Sequence, residues 1–435
     1  MHENFQALGE LPIVGDYVAY EQDRLGFLVN CAKTYGRVAR YSQFVYMIAD
    51  SDLCEQVLMR TNQDFITPGM ENIAGLTNLD FDIDEVVAQW RRNRSGLVRG
   101  LHSRTISPHF EQMVNSITSS ITTWRTGQVI APYEEMRHLT SQITINYLFG
   151  AQGHPFLKTF NQFMDAHFDT LNNPFSFPPS LPTPLSLRTR ARKKKLVKAL
   201  TTLIQQERIH PSEHPNLLSV VLQTPDAKGH PFTDNTIRGV MTAMLFQSGH
   251  TSFTTLSWIW YLLALHPEQE RKMYGEIQQI LGDRQLERAD LSHFVYTECV
   301  IKEVLRLYPP VWQLIRDVTQ TCRLNDYLCE KGQRLYLNVY SVHRDPRFFP
   351  EPDTFLPDRW LSERQVRSGT KCSYLPFGLG QRKCLGSSFA MTELLLITIL
   401  IARRFRWYLV DAVSVRISPD IVLRPKNLKM RVELR

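Results

Sequence analysis

Cysteine is scarce in this chain and follows no pattern. Seven occur in 435 residues, at positions 31, 54, 299, 322, 329, 372 and 384. The number is odd and no pair has Cys-x-x-Cys spacing, which argues against a disulfide framework and for reduced thiols. Long apolar runs are missing too. The longest, 258–265 and 394–402 (the second containing Thr398), fall far short of the ~18–20 residues of a membrane span. Residues 1–11 show no basic segment leading into an apolar one, so neither a signal peptide nor an anchor is expected. Charge of one sign is also lacking. Fifty Lys and Arg face 43 Asp and Glu, a net +7. That excess is spread out and carries no finger or recognition-helix pattern, so no nucleic-acid partner is expected. An acidic protein partner or plain solubility accounts for it. No repeat of fixed period is visible. What is present, 43% apolar and 21% charged residues, demands a large folded core and excludes disorder.

Two early stretches, 37–41 and 44–49, carry β-branched and aromatic residues beside Gly36 and read as strands. Most of the remainder has apolar residues at helical spacing: 52–60, 85–101, 110–125, 133–150, 187–207, 233–265, 267–281 and 296–308. A Pro-rich irregular stretch covers 346–376, a last helix runs from about 385 to 404, and 406–435 returns to short alternating segments. Between Asn172 and Pro184, five prolines accompany Phe175 and Phe177. This stiff apolar loop is a connector or a cap over a hydrophobic pocket. The basic run 188–198 reads as a solvated helix face.

The helix over 233–265 has Thr233 as N-cap and ends before Pro267. At 1.5 Å per residue it spans roughly 50 Å, enough to cross a whole domain. Its middle reads Gln247-Ser248-Gly249-His250-Thr251-Ser252. Glycine in a helix costs about 1 kcal/mol relative to alanine. Either the glycine permits close packing with hydroxyls bonded to the preceding turn, or the helix opens locally to face a ligand.

The sharpest signal is Phe377-Gly378-Leu379-Gly380-Gln381-Arg382-Lys383-Cys384-Leu385-Gly386. Two glycines let the backbone turn tightly and approach a flat ligand. Cys384 sits where a helix begins, which favours its thiolate. Gly386 leaves backbone amides free to point at the sulfur, and Arg382 can pair with an anionic group. Such a thiolate suits haem iron. The alternative, a buried structural cysteine, does not explain the surrounding pattern.

These residues resemble the cytochrome P450 family of haem-thiolate monooxygenases, and the resemblance extends over nearly the whole chain. Glu303-Val304-Leu305-Arg306 matches the family's Glu-x-x-Arg helix, and Arg359 in Pro357-Asp358-Arg359-Trp360 completes a structural Glu–Arg–Arg cluster. Trp90 and Arg94 match a Trp-x-x-x-Arg helix that binds a haem propionate. Arg316 stands where relatives place another propionate-binding cation. His343-Arg344-Asp345-Pro346 and Leu11-Pro12-Ile13-Val14-Gly15 fit as well, the latter resembling relatives without a membrane anchor. The resemblance implies a mainly α fold with small β-sheets, a triangular helical domain whose long central helix crosses over haem b. It implies one domain over 1–435, with the first 60 or so residues including an N-terminal β region. Cys384 is the implied iron ligand. Trp90, Arg94, Arg316, Phe377, Arg382 and Gly386 are implied to contact the cofactor.

The chain departs from the family at the central helix, which usually carries an acid followed by threonine for proton delivery. Aligned on the glycine, Thr251 replaces the acid and Ser252 the threonine. Aligned on His266-Pro267, His250 replaces the acid, Thr251 is the threonine, and Gln247 falls near the iron; this register is preferred. Either way the carboxylate is missing. His250, with an unperturbed pKa near 6.5, is a candidate relay, and Ser252 the fallback. Phe81, Phe168, Phe175, Phe177, Gln247, Trp312, Leu314 and Ile421 are the expected wall of a substrate pocket. The reading is a cytoplasmic, monomeric monooxygenase acting on a hydrophobic small molecule with O2. No reductase follows Arg435, so electrons would come from a separate ferredoxin or flavodoxin-type partner. That partner is expected to dock at Arg91, Arg92, Arg99, Arg104 and Lys383. Peroxide-driven or non-hydroxylating chemistry, and a haem sensor without turnover, are the alternatives.

Overall fold

The computed structural model describes residues 17–42, 44–68, 101, 106–171, 183–212, 215–225, 229–361 and 372–435. Two short helices come first, α1 (Tyr17–Gln22) and α2 (Arg24–Tyr35). The Asp23 side chain caps α2 by accepting from the Gly26 amide at 3.0 Å. Thus the N-terminal part holds helices as well as the expected strands, β1 (Val38–Ser42) and β2 (Val45–Ile48). Helix α3 (Ser51–Met59) starts on Asp50, whose carboxylate accepts from the amides of Asp52 and Leu53.

The helical body follows: α4 (Phe110–Ile121), α5 (Pro132–Phe149), α6 (His154–Leu171), α7 (Pro184–Ile209), α8 (Leu217–Gln223), α9 (Asp234–Leu265), α10 (Pro267–Leu281) and α11 (Val295–Leu307). After the one-turn α12 (Val339–Val342) comes α13 (Ser387–Arg404). The stretch 154–171 is not among the helices expected from periodicity. That stretch is a helix with Pro155 in its first turn, where a missing amide costs nothing.

Helix α9 is the long helix expected at 233–265. The Thr233 hydroxyl accepts from the Thr236 amide at 3.2 Å, and the helix runs unbroken through 247–252. The Ser248 hydroxyl donates to the Met244 carbonyl at 2.8 Å, so this hydroxyl does bond to the preceding turn. Trp258, Ile259 and Trp260 are buried, and α9 packs along α5. One core cluster joins α4 to α11, α13 and the C-terminal sheet.

The principal sheet has the order β1-β2-β8-β5-β3, where β3 is Phe65–Ile66, β5 Leu314–Val318 and β8 Arg334–Leu337. Among the described residues its one parallel strand pairing is β2 with β8. A second sheet, β4-β12-β9 (Val129–Ile130, Met430–Leu434, Phe405–Leu409), closes the C-terminus onto the helical body. A hairpin of β10 (Arg416–Pro419) and β11 (Leu423–Lys426) presents Ile421 at its tip. Among the described residues no helix is long and apolar enough to cross a membrane.

Candidate functional site

The segment ahead of α13 is folded by its glycines. Gly378 and Gly380 have φ of +65° and +69°, the region glycine enters without penalty. The Gly378 amide donates to Leu375 at 3.0 Å, and the Cys384 amide reaches back to Phe377 at 2.8 Å. Gly380 lies against the end of α3 so closely that a Cβ would sit 2.4 Å from the Leu58 carbonyl oxygen. Gly378 and Gly386 would meet nothing within 4 Å. Cys384 is exposed, three residues before the N-terminus of α13, where unpaired amides favour negative charge. Phe377 and Leu385 pack on the main core from the same segment.

A turn after α3 latches this segment. Asn62, at φ +70°, accepts from Arg382 Nε and Nη2 at 3.1 and 2.8 Å, and its amide nitrogen donates to Gln381 at 3.1 Å. Arg316 approaches from β5. Its Nε donates to Thr61 Oγ1 at 3.0 Å, and it is 4% exposed. No carboxylate among the described residues pairs with it, and burial drags its pKa down to about 10. A buried cation left without an anion by the protein fits the acid groups of a bound ligand.

Beneath the segment lies a fully buried polar hub. Glu303 and Arg306, one turn apart on α11, form a two-pronged pair at 2.8 and 2.9 Å, and neither side chain is exposed. Arg359 Nε joins Glu303 at 3.0 Å, and the Trp360 indole and the Leu356 amide donate to the same carboxylate at 2.8 and 3.0 Å. Arg306 also donates to the carbonyls of His343, Pro352 and Thr354. His343 continues the hub toward the cysteine. The Leu375 amide donates to its Nε2 at 2.7 Å, which leaves Nδ1–H to donate to the Arg306 carbonyl at 3.2 Å. Burial lowers its pKa to about 3, so the ring stays neutral as this pairing requires.

On α9, the Thr251 hydroxyl makes no hydrogen bond to a described residue, while its carbonyl accepts from Thr255 at 2.8 Å. Gln247 is exposed. His250 packs edge-on against Phe253, near Arg137 and Arg424. Burial and those two cations lower its pKa to about 3, so it does not titrate near 6.5 as a free histidine would. Ser252 is buried on α9, and on α13 Glu393 is 1% exposed with its Oε1 unpartnered among the described residues.

The remaining expected residues divide. Leu314 is half-buried on β5, and Ile421 is 44% exposed at its hairpin tip. Trp312 packs into a cluster with Tyr20, Leu25 and Leu28, and its indole donates to the Asp420 carbonyl at 3.0 Å. Phe168 belongs to α6. Phe81, Trp90, Arg94, Phe175 and Phe177, with Arg91, Arg92, Arg99 and Arg104, lie outside the described residues; Lys383 is exposed next to Cys384. A polar groove of about 1180 Å³ between α4 and α5 involves none of these residues. His343 and Trp360 enter the sequence reading only as members of the motifs at 343–346 and 357–360, with no bonding role attached. Asn62 and Glu393 are not among the expected residues; of these two only Glu393 leaves a sequence signal, a carboxylate leading an otherwise apolar run.

A family model described as Cytochrome P450 matches residues 7–432. Among curated proteins, cyclooctatin synthase of Streptomyces melanosporofaciens is 28% identical over 99% of this chain and 95% of its own length. Pentalenene oxygenase of Streptomyces avermitilis is 28% identical over 79% and 78%. Among solved structures, a retinoic acid-bound cyanobacterial CYP120A1 superposes with a TM-score of 0.85 at 22% identity, covering 99% of both chains.

Proposed function

The chain belongs to the cytochrome P450 family and is a monooxygenase with haem b, and from that premise we propose that it hydroxylates a polycyclic terpenoid. The observation that carries the reading is the Cys384 segment, a thiol held at a helix N-terminus by two positive-φ glycines and the Asn62 latch. The substrate class draws on the relatives named for cyclooctatin and pentalenene.

Haem with a thiolate ligand supplies reductive activation of O2 when bound. The protein's part follows from its own residues. Cys384 would be the ligand, with the amides at the start of α13 holding its charge. Arg316 and Arg382 would pair with the propionates, with Trp90 and Arg94 as further partners. The bare faces at Gly378 and Gly386 leave room for a flat macrocycle. The Glu303–Arg306–Arg359 hub and His343 fix the ledge that carries the cysteine. Thr251 offers from α9 a hydroxyl that bonds to none of the described residues. Leu314 and Ile421 are assigned to the substrate side, and Gln247, Phe81, Phe168, Phe175 and Phe177 join them on the family resemblance alone; Trp312 supports the hairpin. Electrons come from a ferredoxin or flavodoxin-type protein docking near Lys383, and the enzyme works as a cytoplasmic monomer of one domain.

Two measurements test this. Cys384→Ser should abolish the red-shifted ferrous-CO band of thiolate ligation; a retained band would overturn the assignment. NADH, ferredoxin, ferredoxin reductase and a panel of cyclic terpene hydrocarbons should give a hydroxylated product. A panel that yields neither product nor a substrate-induced spectral shift would refute the substrate class.

A further inference from the structure

Strand β5 leads into a small hairpin that the candidate site does not use, β6 (Cys322–Leu324) and β7 (Tyr327–Cys329). Two residues close it, with Asn325 at φ +52°, a value asparagine tolerates in a tight turn. The register pairs Leu324 with Tyr327, Arg323 with Leu328 and Cys322 with Cys329. Directly opposed residues of an antiparallel pair stand on the same face of the ladder. Both cysteines accordingly join one apolar cluster, with Cys329 1% exposed and Cys322 half-buried at its edge. Opposed Cα atoms in such a ladder are about 4.5–5.5 Å apart, inside the roughly 4.4–6.8 Å that a disulfide spans. Both residues are free thiols here.

We propose that Cys322 and Cys329 form a reversible redox site, closed into a cross-strand disulfide by exchange with a low-molecular-weight disulfide. Cys322 takes the first step because it is the thiol that solvent reaches. Burial raises the pKa of both thiols, and at Cys322 the charge of Arg60 opposes that rise while Asp64 adds to it. Cys329 lies deeper and is pushed to about 12, which suits it to the second, intramolecular step.

In the exchange, the Cys322 thiolate attacks one sulfur of the small disulfide, whose S–S bond breaks. The small thiolate that leaves takes up the proton Cys322 gave away. Cys329 then loses its proton and attacks the Cys322 sulfur, and the second small thiol departs with that proton. Two protein thiols and one small disulfide give one protein disulfide and two small thiols, so two electrons pass out of the protein. A small dithiol reverses the sequence.

The bond would act where the hairpin meets α3. Three residue pairs are too few to hold a hairpin by themselves. Gln56 Nε2 of α3 donates to Asn325 Oδ1 at 3.0 Å, and Arg60 Nη1 donates to the Arg323 carbonyl at 2.7 Å. Directly after Arg60 come Thr61, which accepts from Arg316, and Asn62, which latches Arg382. A disulfide narrows the open states of the hairpin. Through Gln56 and Arg60 it steadies the turn that holds the Cys384 segment, so the oxidised protein retains haem longer.

The test begins with wild-type holoprotein treated with glutathione disulfide, alkylated, and digested with trypsin without reduction. Cleavage after Arg316, Arg323 and Lys331 puts the two cysteines on separate peptides, 317–323 and 324–331. Closure is then read as one species with their summed mass less two hydrogens. It should form in wild type and disappear with dithiothreitol. Cys329→Ala should instead trap glutathione on Cys322. Oxidised wild type should release haem to apomyoglobin about twofold or more slowly than reduced wild type, a modest share of the constraint a disulfide imposes. Cys322→Ser should release it at one rate with or without glutathione disulfide. Absence of the linked species, or glutathione that stays on wild-type Cys322 without closure, overturns the site. Equal haem release from oxidised and reduced wild type overturns its coupling to the cysteine segment. Neither result bears on the oxygenase reading.

Discussion

Two single residues carry opposite signs of strain. Gly380 has positive φ and no room for a Cβ against the Leu58 carbonyl. Gly380→Ala should cost about 1–3 kcal/mol from backbone conformation alone, and more from the clash. Because Gly380 immediately precedes Gln381 and Arg382, the residues Asn62 latches ahead of Cys384, haem content at equal expression should drop with the melting temperature. Normal haem content in a well-folded Gly380→Ala protein would contradict this. Arg316 is the reverse case. A buried guanidinium without an anion weakens the protein that lacks cofactor. Arg316→Met should therefore stabilise the apoprotein and hasten haem loss in an apomyoglobin-transfer assay. Equal haem-loss rates would place Arg316 away from the propionates.

At the scale of elements, the hub couples three pieces of chain: α11, the 343–360 stretch and the entry to the cysteine segment at Leu375. Removing one partner of a buried pair costs about 3–5 kcal/mol because the other charge is stranded. Arg306→Ala strands Glu303, although Arg359 and Trp360 still donate to it. Glu303→Gln strands two arginines. Urea titrations of both variants should show losses of that order, and a double-mutant cycle should be far from additive. Additive losses would mean the residues act separately. Glu303-x-x-Arg306 was legible through its resemblance to the family's Glu-x-x-Arg helix; helical spacing alone says only that both lie on one face. The His343 bridge was not, since nothing local ties residue 343 to 375. Helix α6 was missed for a similar reason: its buried face, Phe156, Phe160 and Phe163, meets partners from α5 and α7 that lie elsewhere in the chain.

For the whole molecule, three buried groups shape stability against pH. His343 has a folded pKa below its unfolded value, so its contribution is full above 6.5 and is lost as pH falls toward 3. His250 behaves alike. Glu393 has a folded pKa above its unfolded value, so its contribution is full below 4.5 and is lost as pH rises through 8. Each lost proton step is worth about 1.4 kcal/mol per pH unit. Between 6.5 and 8 only Glu393 of these three acts. Wild-type stability in urea should therefore decline across that window relative to Glu393→Gln, and the gap should level off above it. Parallel curves would show that Glu393 ionises as freely folded as unfolded. Docking of the redox partner is also a property of the whole surface. Electron delivery should slow as salt rises from low to moderate ionic strength, because steering by Lys383 and its neighbours is screened. Rates insensitive to salt would argue against it.

What the sequence determined by itself is local and periodic. The Phe377–Gly386 spacing, the Glu303/Arg306 pair, the cap at Thr233 and the length of α9 are set within a few residues of chain, so their chemistry was readable without coordinates. The tertiary structure decided everything that depends on distant residues meeting. Arg382 found Asn62 across 320 positions, Arg316 found Thr61 across 255, and the Leu375 amide found His343 across 32. It also decided the charge of buried groups. Desolvation depends on what surrounds a side chain in space, so His250, a proton carrier on paper, is neutral in the fold, and Glu393, an ordinary acid on paper, keeps its proton.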